Sequence, residues 1–111
     1  MQLLDGKKLS EELFTFDYVT ELLLMDKYVL KKKFGIKYLG VFGSYVKDKQ
    51  TKNSDLDILV DFYEDGYFWR IYSELEQHLE QLLNLKIDIV PKANLRNEVG
   101  KRIMNEVQRL M

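Results

Sequence analysis

The chain contains no cysteine. Disulfides and thiolate metal sites are thereby excluded, and the composition suits a reducing cytoplasm. His78 is the single histidine, so a zinc site would have neither thiolate nor second imidazole to draw on. One proline and six glycines leave no linker or low-complexity segment. Long apolar runs are missing too: Leu22-Leu23-Leu24-Met25 is far too short to span a bilayer, and Met1 to Ser10 lacks the apolar stretch of a signal peptide. Neither sign of charge dominates. Seventeen basic residues face 18 acidic ones, net −1, without the basic excess of a nucleic-acid-binding surface. These absences lead us to expect a cytoplasmic domain with no membrane partner and no direct nucleic-acid contact.

What remains is a chain of 111 residues, 46% hydrophobic and 13% aromatic, enough for one core and one domain over residues 1–111. Residues 1–16 show no clean period and read as an N-terminal extension, which Phe14, Phe16 and Tyr18 would pack onto the body. From about Asp17, Val19, Leu22, Leu23, Tyr28, Leu30 and Phe34 recur at helical spacing, with Thr15 or Asp17 as N-cap. Lys31-Lys32-Lys33 suits the negative end of that helix and Gly35 its stop. Ile36 to Phe42 reads as a buried strand, followed by a short helical turn from Ser44 to about Lys49. A second strand spans Leu56 to Phe62, and Glu64-Asp65-Gly66 breaks it. Tyr67 to Leu83 is helical, Asn84 stops it, and Leu85 to Val90 forms a third strand closed by Pro91. Leu95 to Met111 returns to helix, with Val99, Ile103, Val107 and Leu110 on one stripe. The order α-β-α-β-α-β-α predicts an α/β (α+β) fold, a small mixed sheet with helices packed against it.

Three features carry chemistry. Gly43 lets the backbone approach a ligand, and Ser44 opens a helical turn whose free N–H groups favour an anion such as a phosphate chain. A Gly-Ser pair after a strand is, by itself, usually just a turn. Asp55 and Asp57 project from one face of the second strand, where two like charges repel unless a divalent cation neutralises them. Two such carboxylates can bridge two metal ions about 4 Å apart, the arrangement used for in-line displacement at phosphorus. The competing reading is an acidic solvent face, which Asp61 would continue. Asp88 interrupts the apolar strand Lys86-Ile87-Asp88-Ile89-Val90 and needs a partner. Beside the second strand it completes an acidic triad that can hold a metal and take a proton from an attacking hydroxyl. At a sheet edge it would instead pair with Lys86 or Lys92.

Together Gly43-Ser44, Ser54-Asp55-Leu56-Asp57 and Asp88 resemble the pattern of the nucleotidyltransferase superfamily, in particular its minimal MNT-type members. That pattern runs Gly-Ser, a small residue, Arg, Gly, then Ser-Asp-x-Asp and aliphatics, with a third Asp on a later strand. The likeness covers the chain from about Asp17 onward. Lys47 stands where the family usually has Arg and loses the bidentate fork. Asp48 stands where it usually has Gly and brings a negative charge toward the expected phosphate site.

The resemblance implies a nucleotidyltransferase fold and transfer of a nucleoside monophosphate, AMP from ATP, to an acceptor hydroxyl. It implies that Gly43, Ser44, Lys47 and Ser54 bind the nucleotide, and that Asp55, Asp57 and Asp88 are the catalytic acids and the ligands of two Mg²⁺ ions. It further implies an antitoxin role toward a HEPN-type toxin, adenylylated on a tyrosine. Two other readings stay open: a catalytically weak subunit that neutralises its partner by binding alone, and a small-molecule nucleotidyltransferase of the aminoglycoside-modifying kind. A homo-oligomer also stays open. His78, with Gln77, Glu80 and Gln81 nearby, reads as a solvated surface residue. The cluster Tyr67-Phe68-Trp69-Arg70-Ile71-Tyr72 reads first as core packing, then as a partner surface. Tyr45 either lines the nucleotide pocket or packs.

Overall fold

The computed structural model describes residues 15–63 and 68–111. Four helices, α1 (Phe16–Met25), α2 (Lys27–Phe34), α3 (Phe68–Leu83) and α4 (Asn97–Glu106), surround four strands, β1 (Ile36–Phe42), β2 (Leu56–Phe62), β3 (Ile87–Pro91) and β4 (Gln108–Arg109). The sheet order is β3-β2-β1-β4. β1 runs antiparallel to β2 and β4, and β2 is parallel to β3. The expected mixed sheet is therefore present, with one strand more than its sequence pattern shows.

The sheet is covered on both faces, which explains its near-continuous apolar strands. Leu39, Val41, Leu56, Ile58, Val60 and Ile87 join Val19, Leu23, Leu30, Phe34, Leu75, Leu79 and Leu83 of α1–α3 in the larger core. On the other face Tyr38, Phe42 and Leu59 pack with Ile103 of α4, and Val90, Leu95 and Val107 extend that cluster. Asp57 is two residues from the fully buried Leu59, so its face is a second core and not an acidic solvent face.

The capping expectations hold where a side chain or a left-handed residue supplies them. Thr15 Oγ1 accepts from Tyr18 N at 3.0 Å, Gly35 (φ 68) closes α2, and Asn84 (φ 55) follows α3. The single helix expected over Asp17 to Phe34 is instead two. Asp26 interrupts it, and its Oδ2 lies 2.6 Å from Nε2 of His78 on α3. That contact also corrects the reading of His78 as solvated: its side chain is 25% exposed and its ring stands 5.1 Å from that of Phe34. Beyond the break Tyr28, expected on the buried stripe, is 74% exposed.

The last helix stops at Glu106 instead of running to Met111, and Val99 of its expected stripe is exposed. Residues 107–111 pair with β1, through Leu110 N to Leu39 O at 2.8 Å and Leu39 N to Met111 O at 3.0 Å. Gly40 permits this approach: a Cβ there would lie 2.6 Å from Val107 Cγ2. Tertiary pairing thus overrides a helical period. The short turn after β1 is a 3-10 turn at Gly43–Tyr45, and β3 starts two residues later than expected and takes in Pro91.

Tyr45 packs, at 1% exposure, in the larger core, and burial pushes its phenol above the ordinary range. Phe16, Ile71 and Tyr72 pack against that core, while Arg70 pairs with Glu74 on the surface. The expectations for Phe14 and Tyr67, and for the side chains of Phe68 and Trp69, fall outside the described residues.

Candidate active site

β2 is the second strand of the sheet's order, bonded on both sides, and one cross-sheet row defines the site. Phe42 of β1 stands opposite Asp57, and Asp57 stands opposite Asp88 of β3. Parallel pairing of β2 with β3, joined through α3, brings two acids 31 residues apart in sequence into register. The Asp57 and Asp88 carboxyls come within hydrogen-bonding reach. Asp55, just before β2, is half-buried and close enough to act on Asp57 electrostatically. Burial, then Asp88, then Asp55 and Glu106 push the Asp57 carboxyl from 3.8 up to about 6. Burial takes water from the charged form, and the neighbouring acids add to this: removing one acid's proton places a second negative charge beside the first.

The row also positions the Gly43-Ser44 turn. Because Phe42 pairs with Asp57, Gly43 follows directly onto the acid. Its backbone is left-handed (φ 80), and a Cβ built there would overlap Asp57 Oδ2. Only glycine satisfies both constraints. The Gly43 carbonyl accepts from Val46 N at 3.1 Å and Lys47 N at 3.2 Å, which closes the turn. Among the described residues no bond engages the Ser44 N–H or hydroxyl.

Lys47 is half-exposed, and its Nζ lies 3.2 Å from Glu106 Oε1. The other oxygen of Glu106 accepts from Gly43 N at 2.8 Å. Partial burial would raise the Glu106 carboxyl, but the Gly43 N–H, Lys47 and Arg102 hold it below its ordinary value. Sequence reasoning missed Glu106. It lies 63 residues from Gly43, and within a helix read on to Met111 it looked like one more mid-helix charge. The signal was a carboxylate at the helix C-terminus, where the dipole disfavours it, but the misplaced helix end hid that signal.

Ser54 has a local role. Its hydroxyl accepts from Thr51 N at 2.8 Å and closes the turn that launches β2. Asp48, exposed, holds a left-handed backbone (φ 58), which accounts for a glycine in the resembling pattern: Asp is among the few other residues that visit this region readily.

Among the described residues no three His, Cys, Asp or Glu side chains gather around one point as a closed metal site. The convergent Asp57 and Asp88, with Asp55 nearby, still fit Mg²⁺, which binds through one or two carboxylates and completes its shell with water and phosphate oxygens. A dication there would relieve the repulsion that raises Asp57. Among the described residues no helix is long and apolar enough to cross a membrane.

Asp57 and Asp88 lie beside the Gly43-Ser44 turn on a small mixed sheet. Residues 27–110 match the nucleotidyltransferase domain, and the chain belongs to that family. It is similar to protein adenylyltransferase MntA of Thermococcus cleftensis, with 39% identity over 95 residues that cover 86% of this chain and 95% of that protein. Among solved structures, a minimal nucleotidyltransferase superposes with a TM-score of 0.66 at 29% identity, covering 81% of this chain and 93% of that one. The MNT antitoxin fold in a complex with a tri-AMPylated HEPN toxin from Shewanella oneidensis superposes with a TM-score of 0.59. That match has 19% identity and covers 83% of this chain and 71% of the other.

Proposed function

We propose that this nucleotidyltransferase is an antitoxin that transfers AMP from ATP to a tyrosine hydroxyl of a HEPN-type toxin. The observation that carries this reading is the close approach of Gly43, next after Phe42 of the row Phe42–Asp57–Asp88, to the paired acids. The likeness to a protein adenylyltransferase over nearly all of both chains supports a protein acceptor, and the likeness to an antitoxin bound to an AMPylated toxin supports its kind.

In the proposed reaction Ser44, through its N–H and hydroxyl, and Lys47, through its ammonium, hold the triphosphate, while Gly43 admits the chain close to Asp57. Ser54 contributes by fixing the turn before Asp55. Asp55, Asp57 and Asp88 would hold Mg²⁺, two ions in all, which when bound polarises the α-phosphate and neutralises the pyrophosphate. Asp88 accepts the tyrosine proton as the oxygen attacks the α-phosphorus. The new O–P bond forms as the bond from the α-phosphorus to the bridging oxygen breaks, and pyrophosphate departs.

Intact mass spectrometry of the toxin after incubation with this chain, ATP and Mg²⁺ tests the reading. An AMP adduct that disappears with Asp55→Asn/Asp57→Asn is the expected result. A stable complex without adduct, neutralising equally well with the double variant, would sink it in favour of neutralisation by binding alone.

A further inference from the structure

We propose that Glu106 is a positioning residue for the nucleotide's phosphates, a brace that holds Lys47 and the Gly43-Ser44 turn in their binding arrangement. The inference rests on the phosphate-site reading above and adds a residue to it. Gly43, Glu106 and Lys47 form a closed circuit. Glu106 Oε2 accepts from Gly43 N at 2.8 Å, Glu106 Oε1 pairs with Lys47 Nζ at 3.2 Å, and Lys47 N returns to Gly43 O at 3.2 Å. Each residue is thus tied to the other two, by backbone on one side and by side chain on the others.

The position of Glu106 is itself fixed from both sides. Before it, Ile103 is buried against Tyr38, Phe42 and Leu59. After it, Val107 N donates to Ile103 O at 2.8 Å, Val107 lies over Gly40, and β4 pairs with β1. A carboxylate at a helix C-terminus, near Asp57, is electrostatically unfavourable. The Gly43 N–H and the Lys47 ammonium are the contacts that offset this.

Glu106 could instead be a rival anion that phosphate must expel, and the donor count decides against that. An ammonium has three N–H donors, of which Glu106 takes one. Two remain, together with the Ser44 N–H and hydroxyl, so a phosphate chain finds donors without displacing the carboxylate. Lysine carries a flexible four-carbon stem and lacks the rigid fork of arginine. Holding that stem in place beforehand removes an ordering cost from nucleotide binding.

The test is calorimetric titration of inorganic tripolyphosphate and of ATP, each with Mg²⁺, into the full chain and its Glu106→Gln, Glu106→Ala, Lys47→Met and doubly substituted forms. Glu106→Gln keeps an acceptor for Gly43 and guards against simple misfolding. Both Glu106 variants are expected to weaken binding about three- to tenfold. In the Lys47→Met background Glu106→Gln, which still accepts from Gly43 N, should have no further effect, and in the transfer assay the Glu106 variants should raise KM for ATP more than they lower kcat. A Glu106→Gln loss that persists without Lys47 would make Glu106 a fold-supporting residue only, and tighter binding would make it a competing anion. Either result overturns the brace, as does unchanged affinity. If the folded wild-type chain binds neither tripolyphosphate nor ATP, the phosphate-site reading falls and the brace falls with it.

Discussion

Asp57 and Asp88 face one another in the parallel register of β2 and β3, and burial, with Asp88 next in weight, raises the Asp57 carboxyl to about 6. Between pH values of about 4 and about 6 the native chain therefore holds a proton that the unfolded chain releases. On this account metal-free stability is greater below that window and falls as pH rises through it. Glu106, held below its ordinary value, acts in the opposite sense, its contribution being lost as pH falls. Asp57→Asn should raise the melting temperature in chelator at about pH 7 and change it little at about pH 4. Mg²⁺ should stabilise the wild type at neutral pH and not the variant. Thermal melts across pH, with and without Mg²⁺, check both statements.

Gly43→Ala meets a left-handed backbone and the Asp57 carboxylate together. It should lower stability by about 1–3 kcal/mol and abolish transfer even where the variant remains folded. Circular dichroism melts alongside the adduct assay separate the two losses.

Asp48 gives a contrasting case, because its left-handed backbone (φ 58) has exposed surroundings. Asp48→Ala should cost about 1 kcal/mol, whereas Asp48→Gly should be neutral or stabilising. Urea denaturation of the two variants measures the difference. If the alanine variant is the more stable, backbone conformation is not what Asp48 supplies.

Gly40→Ala should push Val107 away from β1 and loosen β4, since the added methyl has no room. Because β4 follows Glu106 directly, the variant should also weaken nucleotide binding without touching any acid. Amide exchange at Leu39 and Leu110, faster than in the wild type, would report the loosening.

Much of this was readable from residue order. The strand that carries Asp57, the strand around Asp88 and the Gly35 stop are local patterns, and the structure keeps them, while Asp55 lies just before its strand. Several departures coincide with contacts between distant segments. At Asp26, where α1 gives way to α2, the side chain meets His78, 52 residues away. The final segment leaves its helical period because Gly40 opens a path along β1. Glu106 was invisible for the same reason: its meaning depends on where α4 ends and what lies beneath it.

β2 carries hydrogen-bonded neighbours on both sides and buried side chains on both faces. Strands placed this way open only when the whole domain unfolds. Asp57 therefore has no local melting route of its own. Heat inactivation should follow the single cooperative loss of the fold, so that residual activity after heating counts surviving molecules and not weakened ones.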